Sequence, residues 1–542
     1  MRPRMCYDDA AWEKSEEISD TWVRKFLNPD ISIPIGKFLV RHHNPDNAVA
    51  FDILEKGSFN IALWMTYKVG PAGIIRFPLP GATMFPEEKQ RCEVAIMRYL
   101  CDQTSIRVPF VYHWGSKESC PLELGSYIIM EYIEHDSSMY DVLNIPGCLK
   151  NQRGMLNPDI DEDTLQALYK EMASVLLRLS RPSFPHIGSF SQVDDFTWEV
   201  ASRPLSNNMN ELLRVGSLPQ SCLPSQDKTF ESTSAYLESI AELYMSHLKH
   251  QRNDAIHSAD DCRRKFMARV LFRQLAQNRQ LTQRWAAFDK GPFKIWCDDF
   301  RPGNVLVNKD KRIAGIVDFE FTYAAPIEFS YAPPWWLLIE KPEYWLNGLD
   351  DWTNVFDRRL RTFIKGMIEC EDTAIKEGRL KEDERLSGPM QESWESGDFW
   401  ISYAARNAFA FDLLYWKKID QRFFGSTIGD TEDAWKQRLD LLSDKEKDEM
   451  EKLVVQKLEE METRVLAWDP DEHTKSHIDI AKTCAAETAK KAEDEAGDEA
   501  ADTELPKPDH DEVQIASVTE VRPDDLDTQQ ISEKLAQLST QL

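Results

Sequence analysis

Three polar side chains in one stretch, WCDDFRPGNVLVNKDKRIAGIVDFEF, have the types and spacing that phosphoryl transfer asks of a protein: Asp299, Asn304 five positions on, and Asp318 nineteen positions after Asp299. That reaction needs a hydroxyl nucleophile held in line and metal ions held against the phosphate charge. A carboxylate beside the hydroxyl can accept its proton. An amide oxygen and a second carboxylate are hard ligands suited to magnesium. The apolar runs Val305 to Val307 and Ile313 to Val317 predict a β-hairpin with Asn304 and Asp318 on opposite arms.

The elements that must position these groups fall into two parts. Between Gly36 and Ile133 the pattern is one of strands around a single helix. Phe51 to Leu54 and Ile61 to Val69 flank a turn at Lys56-Gly57-Ser58, and Gly70 to Gly73 turns into Ile74-Ile75-Arg76-Phe77. Pro86-Glu87-Glu88 then opens a helix, because proline and acidic residues suit a first turn. Val108 to Trp114 and Tyr127 to Ile133 complete about five strands. From Thr164 the periodicity is helical, with Leu165, Leu168, Met172, Val175, Leu176 and Leu179 on one stripe and Asp161 or Asp163 as N-cap. Further helices are expected near 259–278, 351–376, 398–418 and 431–466, interrupted by the one hairpin.

The central segment resembles the H-x-D-x-x-x-x-N catalytic loop and the D-F-G-like metal motif of the kinase superfamily. It is most similar to the aminoglycoside phosphotransferase (choline kinase-like) family, in particular a large fungal branch with the same WCDDFRP-x-N wording. The resemblance implies an α+β, bilobal protein-kinase-like fold and an ATP- and Mg2+-dependent transfer to a hydroxyl of a small molecule. It implies Asp299 as catalytic base, Arg301 beside the transferred phosphate, and Asn304 and Asp318 as metal ligands. In the small lobe it implies Arg76 on the phosphates with Glu93 as its partner, and Gly57 and Ser58 in the phosphate-covering turn. Glu131 and Ile133 fall in the linker whose backbone would meet adenine.

Two residues depart from the family pattern: Cys297 replaces the usual histidine, and Glu320 replaces the glycine of D-F-G. The histidine is a scaffold group, so its loss weakens support without removing chemistry. Glu320, and the lack of a long segment ending in A-P-E after Asp318, point away from a protein kinase. Arg76 in place of lysine, Cys297 and the single-glycine turn motivate a second reading, a nucleotide-binding pseudokinase. The acceptor is not legible: nothing from Thr164 to Asp289 or after Trp335 spells a binding code.

A length of 542 residues suits two or three folding units, and the expected division is a 1–35 extension, a 36–132 N-lobe, a 133–425 C-lobe, a 426–470 C-terminal helix and a 471–542 tail. The tail holds 19 acidic and 7 basic residues and no Phe, Tyr or Trp, the composition of a disordered segment, with a short amphipathic helix near Ile531 to Leu542. The chain's net charge of −27 argues against nucleic acid as a partner. No apolar run reaches membrane length, MRPRMCYDDAAWEKSEE lacks a signal-peptide core, and ten scattered cysteines suit a reducing compartment, so a cytoplasmic protein is expected.

Overall fold

In the computed structural model, which describes residues 4–44, 48–148, 152–429 and 432–478, the five expected strands form one antiparallel sheet of order β1-β2-β3-β5-β4. They are β1 Ala48–Lys56, β2 Asn60–Tyr67, β3 Gly73–Pro78, β4 Val111–Gly115 and β5 Tyr127–Glu131. Side chains alternate between the two faces, as a strand's period of two requires. Ile75, Phe77, Tyr127 and Ile129 face one side, where they pack on Trp22, Phe26, Ile35 and Leu39. These come from α1 (Asp9–Arg24) and α2 (Pro29–His42), so the first residues of the chain cover the outer face of the sheet. Ile74, Ile128 and Met130 face the other side, against α3 (Pro86–Gln103) and the main core. Arg76 shares the parity of Ile74 and so projects toward α3. The expected boundary at residue 35 therefore falls inside α2, whose two ends belong to one packed unit.

The chain leaves β5 through residues 132–136 and enters β6 (Ser137–Ser138), which pairs with the predicted hairpin of β10 (Val305–Val307) and β11 (Ile313–Ile316). This linker crosses so close to β11 that a Cβ on Gly315 would lie 2.4 Å from Ile133 Cδ1, so any larger residue there would have to push that side chain aside. Beyond it lie α4 (Met139–Leu143) and the helical lobe. There α5 (Glu162–Leu179), with Asp161 Oδ1 accepting from Thr164 N at 2.9 Å as N-cap, packs along α10 (Leu349–Lys376). The bilobal α+β, kinase-like arrangement is as expected. A small antiparallel lobe sits on a larger, mainly helical one.

The structure departs from the sequence reading in the strands of the large lobe. A second hairpin, β7 (Ser189–Asp194) and β8 (Thr197–Ser202), leads into α6 (Asn207–Arg214), followed by α7 (Thr233–His250) and α8 (Ala259–Gln277). A two-stranded ribbon of β9 (Lys294–Cys297) and β12 (Thr322–Ala325) brackets residues 298–321 before α9 (Ile327–Tyr331). Such strands are too short for a period to show. The helix expected over 398–418 is broken into Asp398–Ala404 and Phe411–Leu414, running into a π-helical turn at Tyr415–Ile419.

The boundary at 471 is also corrected. Residues 472–478 are helical. Thr474 is fully buried, with its hydroxyl accepting from Gly81 N at 3.0 Å, and His477 meets Trp22 edge-on at 6.4 Å. Local composition missed this because the contacts are made by histidine and threonine. The rest of the expected tail, 479–542, and the helix expected near Ile531 lie outside the described residues.

Candidate active site

β9 ends at Cys297, paired with Thr322 of β12, so the loop after β9 and the turn before β12 are neighbours by register. Between them the β10–β11 hairpin returns the chain, and Val317 N donates to Asn304 O at 3.0 Å. Asp299 is held at both oxygens: Oδ1 accepts from Arg301 Nε at 2.8 Å and Oδ2 from Asn304 Nδ2 at 2.8 Å. The same Asn304 nitrogen donates to Asp299 O at 2.9 Å. The asparagine therefore spends its donor end on the loop and keeps its carbonyl oxygen for another partner.

Asp318 has φ 59°, a left-handed conformation that aspartate tolerates better than most residues and that recurs at functional sites. Its carboxylate accepts from Arg76 Nη1 at 2.6 Å, and Arg76 is also ion-paired with buried Glu93 of α3. Burial, with Glu320, Glu93 and Asp299 nearby, pushes the Asp318 carboxyl up to about 7 against the pull of Arg76. Six of the ten residues implied by the sequence, Asp299, Arg301, Asn304, Asp318, Arg76 and Glu93, thus form one cluster.

The interactions of the remaining four lead elsewhere. Gly57 and Ser58 form the β1–β2 tip, where Gly57 N donates to Asn60 O at 2.8 Å. Gly57 has ordinary backbone geometry, and a Cβ there would meet that oxygen at 3.5 Å, so the turn does not depend on its being glycine. The tip is anchored instead by Phe59 O, which accepts from Leu79 N and from Thr83 Oγ1, each at 2.8 Å. Glu131 and Ile133 lie at the lobe linker. The Glu131 side chain is ion-paired with Arg107 and accepts from Phe110 N at 3.2 Å, and Ile133 O accepts from His135 Nδ1 at 2.8 Å.

Two groups packed on the cluster, Lys89 and Asp298, escaped the sequence reading. Lys89, buried on α3, is ion-paired with Glu320 and donates to Asn60 Oδ1 at 3.2 Å, while Asn60 Nδ2 donates to Glu320 Oε2 at 2.9 Å. Burial pushes the Glu320 carboxyl up, but Lys89 and Arg76 outweigh it and hold it below the usual range. Lys89 lies one helical turn before Glu93 and so on the same face, a signal that was available. Asp298 anchors the loop from behind: Oδ1 accepts from Trp296 Nε1 at 2.7 Å and Oδ2 from Asn207 N, the first residue of α6, at 3.0 Å. Cys297, buried at the histidine position, points its thiol at Asp318 O, 3.9 Å away.

Among solved structures, aminoglycoside phosphotransferase APH(4)-Ia, in a ternary complex with AMP-PNP and hygromycin B, is similar at 13% identity and TM-score 0.35, covering 72% of this chain and 99% of its own. An ethanolamine kinase of Plasmodium vivax matches at 15% identity and TM-score 0.34, covering 75% and 84%. A putative fructosamine-3-kinase of Thermobifida fusca matches at 11% identity and TM-score 0.34, covering 78% and 98%. No curated protein matches the sequence. Residues 66–358, more than half of the chain and spanning Arg76 through Asp318, match the phosphotransferase enzyme family, APH, and the protein belongs to that family.

Proposed function

We propose that the protein transfers the γ-phosphoryl group of ATP to a hydroxyl of a small molecule. The observation that carries this reading is the convergence on Asp318 of two distant pieces of chain, the Arg76–Glu93 pair of the small lobe and the Asp299–Asn304 loop of the large one. Asp299, oriented by Arg301 and Asn304, accepts the acceptor's proton as the hydroxyl oxygen bonds to the γ-phosphorus. The bond from that phosphorus to the bridging oxygen breaks, and ADP leaves. Arg76 contacts the phosphates, Gly57 and Ser58 cover them, and backbone groups of Glu131 and Ile133 meet adenine.

Magnesium fits the groups present. Glu93, Asp299, Asp318 and Glu320 outnumber Arg76, Lys89 and Arg301 by one charge. Asp318 and the carbonyl of Asn304 are hard oxygen donors and would hold the ions, which when bound neutralise charge on the phosphates. The route from Asp318 through β12 directly into α9 leaves no long peptide-docking segment, which favours a small acceptor over a protein. Among the described residues no helix is long and apolar enough to cross a membrane. We place the enzyme in the cytoplasm on the scattered spacing of its ten cysteines.

One observation favours a pseudokinase instead: the Arg76–Asp318 ion pair engages the principal metal ligand. Incubation with ATP, magnesium and a panel of alcohols, sugars and hydroxylated amines, followed by phosphorus NMR, separates the two. Transfer that EDTA abolishes is expected. Metal-dependent nucleotide binding without transfer to any acceptor would establish the binding module.

A further inference from the structure

α3 carries Lys89 and Glu93, the residues that reach Glu320 and Arg76, yet its start has no cap of its own. It begins at Pro86 without a side-chain hydrogen bond to its first turn, and the residue before it, Phe85, has φ 55°. A left-handed backbone is costly for a bulky aromatic residue and persists only where the surroundings hold it. Here the surroundings are supplied by the large lobe.

Arg203, the residue after β8, is buried and grips buried Glu88 in the first turn of α3 with two hydrogen bonds, Nε to Oε1 at 2.9 Å and Nη2 to Oε2 at 2.7 Å. Its third nitrogen, Nη1, donates to Pro224 O at 3.0 Å, and its guanidinium lies over the Phe85 ring, 4.4 Å from the centroid. Asn210 of α6, only 1% exposed, spends both ends of its amide on the segment that leads into α3. Its Oδ1 accepts from Met84 N at 2.8 Å and its Nδ2 donates to Ala82 O at 3.1 Å. Between these two grips stands Asn207, whose backbone N–H holds Asp298 next to Asp299. Residues 203–210 thus form a bracket that carries the start of α3 on two side chains and the catalytic loop on its middle.

The bracket is also tied to the turn that bears Asp318. Gly188, just before β7, donates its N–H to Ala324 O of β12 at 3.0 Å and accepts from Ala324 N at 2.9 Å. The β7–β8 hairpin then packs along α3, where Tyr99 meets Trp198 edge-on at 5.6 Å and Arg98 Nη1 donates to Gln192 Oε1 at 3.0 Å. α3 is therefore attached to the large lobe from its first turn to Tyr99. A buried two-pronged arginine–carboxylate pair contributes geometry more surely than stability, because the cost of taking two charges out of water offsets most of their attraction. Geometry is what α3 needs. A slip of one residue along its axis would move Lys89 and Glu93 by about 1.5 Å and turn them about 100° away from Glu320 and Arg76.

We infer that Arg203, with its partner Glu88, and Asn210 are positioning residues of the phosphotransferase site: they set α3 against the catalytic loop so that Glu93 presents Arg76, and Lys89 presents Glu320, to the metal–nucleotide. The inference rests on the phosphotransferase reading above. The polar groups of Arg203 and Asn210 are spent on α3, the segment before it and Pro224, so these residues act through Arg76 and Glu320 and not on the substrate.

Calorimetric titration of the full chain with magnesium and a non-hydrolysable ATP analogue separates position from support. Loss of folded protein lowers the number of binding sites, whereas misplacement of α3 lowers the affinity of every site. The Arg203→Met/Glu88→Gln double variant removes both charges at similar volume and should unfold in urea near the parent's midpoint. Its magnesium-dependent affinity should fall about tenfold at an unchanged number of sites. Asn210→Ser should weaken binding by about threefold or more. Arg203→Lys, which keeps the charge without the two-pronged geometry, should fall between the parent and the double variant. Parent-like affinity in the double variant and in Asn210→Ser, or fewer sites at parent-like affinity, would overturn the inference while leaving the phosphotransferase reading in place, since the parent still binds. A parent that takes up no nucleotide with magnesium would contradict that reading and, with it, the positioning role.

Discussion

Asp299 and Asp318 share a side-chain type but not a set of partners. One is held by the donors of its own loop, the other by Arg76 of the opposite lobe. Their spacing was legible in the sequence because a short hairpin carries both ends of the motif. Lys89 shares a helix face with Glu93 but was passed over, since a lysine near the start of a helix reads as a solvated residue until Glu320 is placed beside it. Lys89→Met should leave the buried Glu320 carboxylate without its ion-pair partner and cost about 3–5 kcal/mol in urea denaturation. The Lys89→Met/Glu320→Gln double variant should recover part of that loss, and strictly additive losses would show that the two residues are not coupled. Burial pushes the Cys297 thiol well above its ordinary range. An alkylating reagent at pH 8 should therefore leave it unmodified in the native protein. Cys297→Ser should keep metal-dependent turnover within about one order of magnitude, because the side chain supports backbone and transfers no proton in the reaction. Near-complete loss in Cys297→Ser, or rapid labelling, would make it a reactive group.

The elements that position the site were legible to different degrees. The small-lobe strands and α3 were readable because alternation and the Pro86-Glu87-Glu88 start are strong local signals. β7, β8, β9 and β12 were not, because strands of four to six residues make their identity only by pairing. The resemblance placed Gly57 at the β1–β2 turn, whereas the contacts of Phe59 and Asn60 hold that turn. α9 carries a titration that no local pattern announces. Burial, with Asp289 and Asp398 nearby, pushes the Glu328 carboxyl up to about 8 from 4.5. An acid whose pKa is raised on folding contributes stability that is complete below its unfolded pKa and is lost as pH rises through the folded one. Glu328→Gln keeps the shape and removes that titration. Its melting temperature relative to the parent should therefore rise between pH 5 and pH 9, and a difference independent of pH would contradict the assignment.

At the scale of the whole molecule, both ends of the described chain tie the lobes together. The N-terminal segment is fastened to the large lobe through Met5 and Asp8 and to the small lobe through Ser15 and Ser19. On the C-terminal side, Trp468 Nε1 donates to Leu213 O at 3.0 Å, and Thr474 reaches Gly81. Neither strap was readable beforehand, because the contacts that fasten them are mostly hydrogen bonds to backbone and small polar side chains of distant sequence. A chain ending at residue 478 should melt like the full chain, since composition gives 479–542 little with which to build a core. A chain ending at 470 should melt a few degrees lower. Equal melting of the two would mean that the buried contacts of Thr474 and His477 contribute nothing. The claim that all these elements serve, that Asp299 handles the acceptor's proton while Asp318 holds metal against the phosphates, is tested most directly by calorimetric titration of a non-hydrolysable ATP analogue with and without magnesium. Asp299→Asn should bind as the parent does and lose turnover, whereas Asp318→Asn should lose turnover together with the magnesium-dependent part of the affinity. Parent-like binding and turnover in both variants, or a parent whose nucleotide affinity ignores magnesium, would contradict the account.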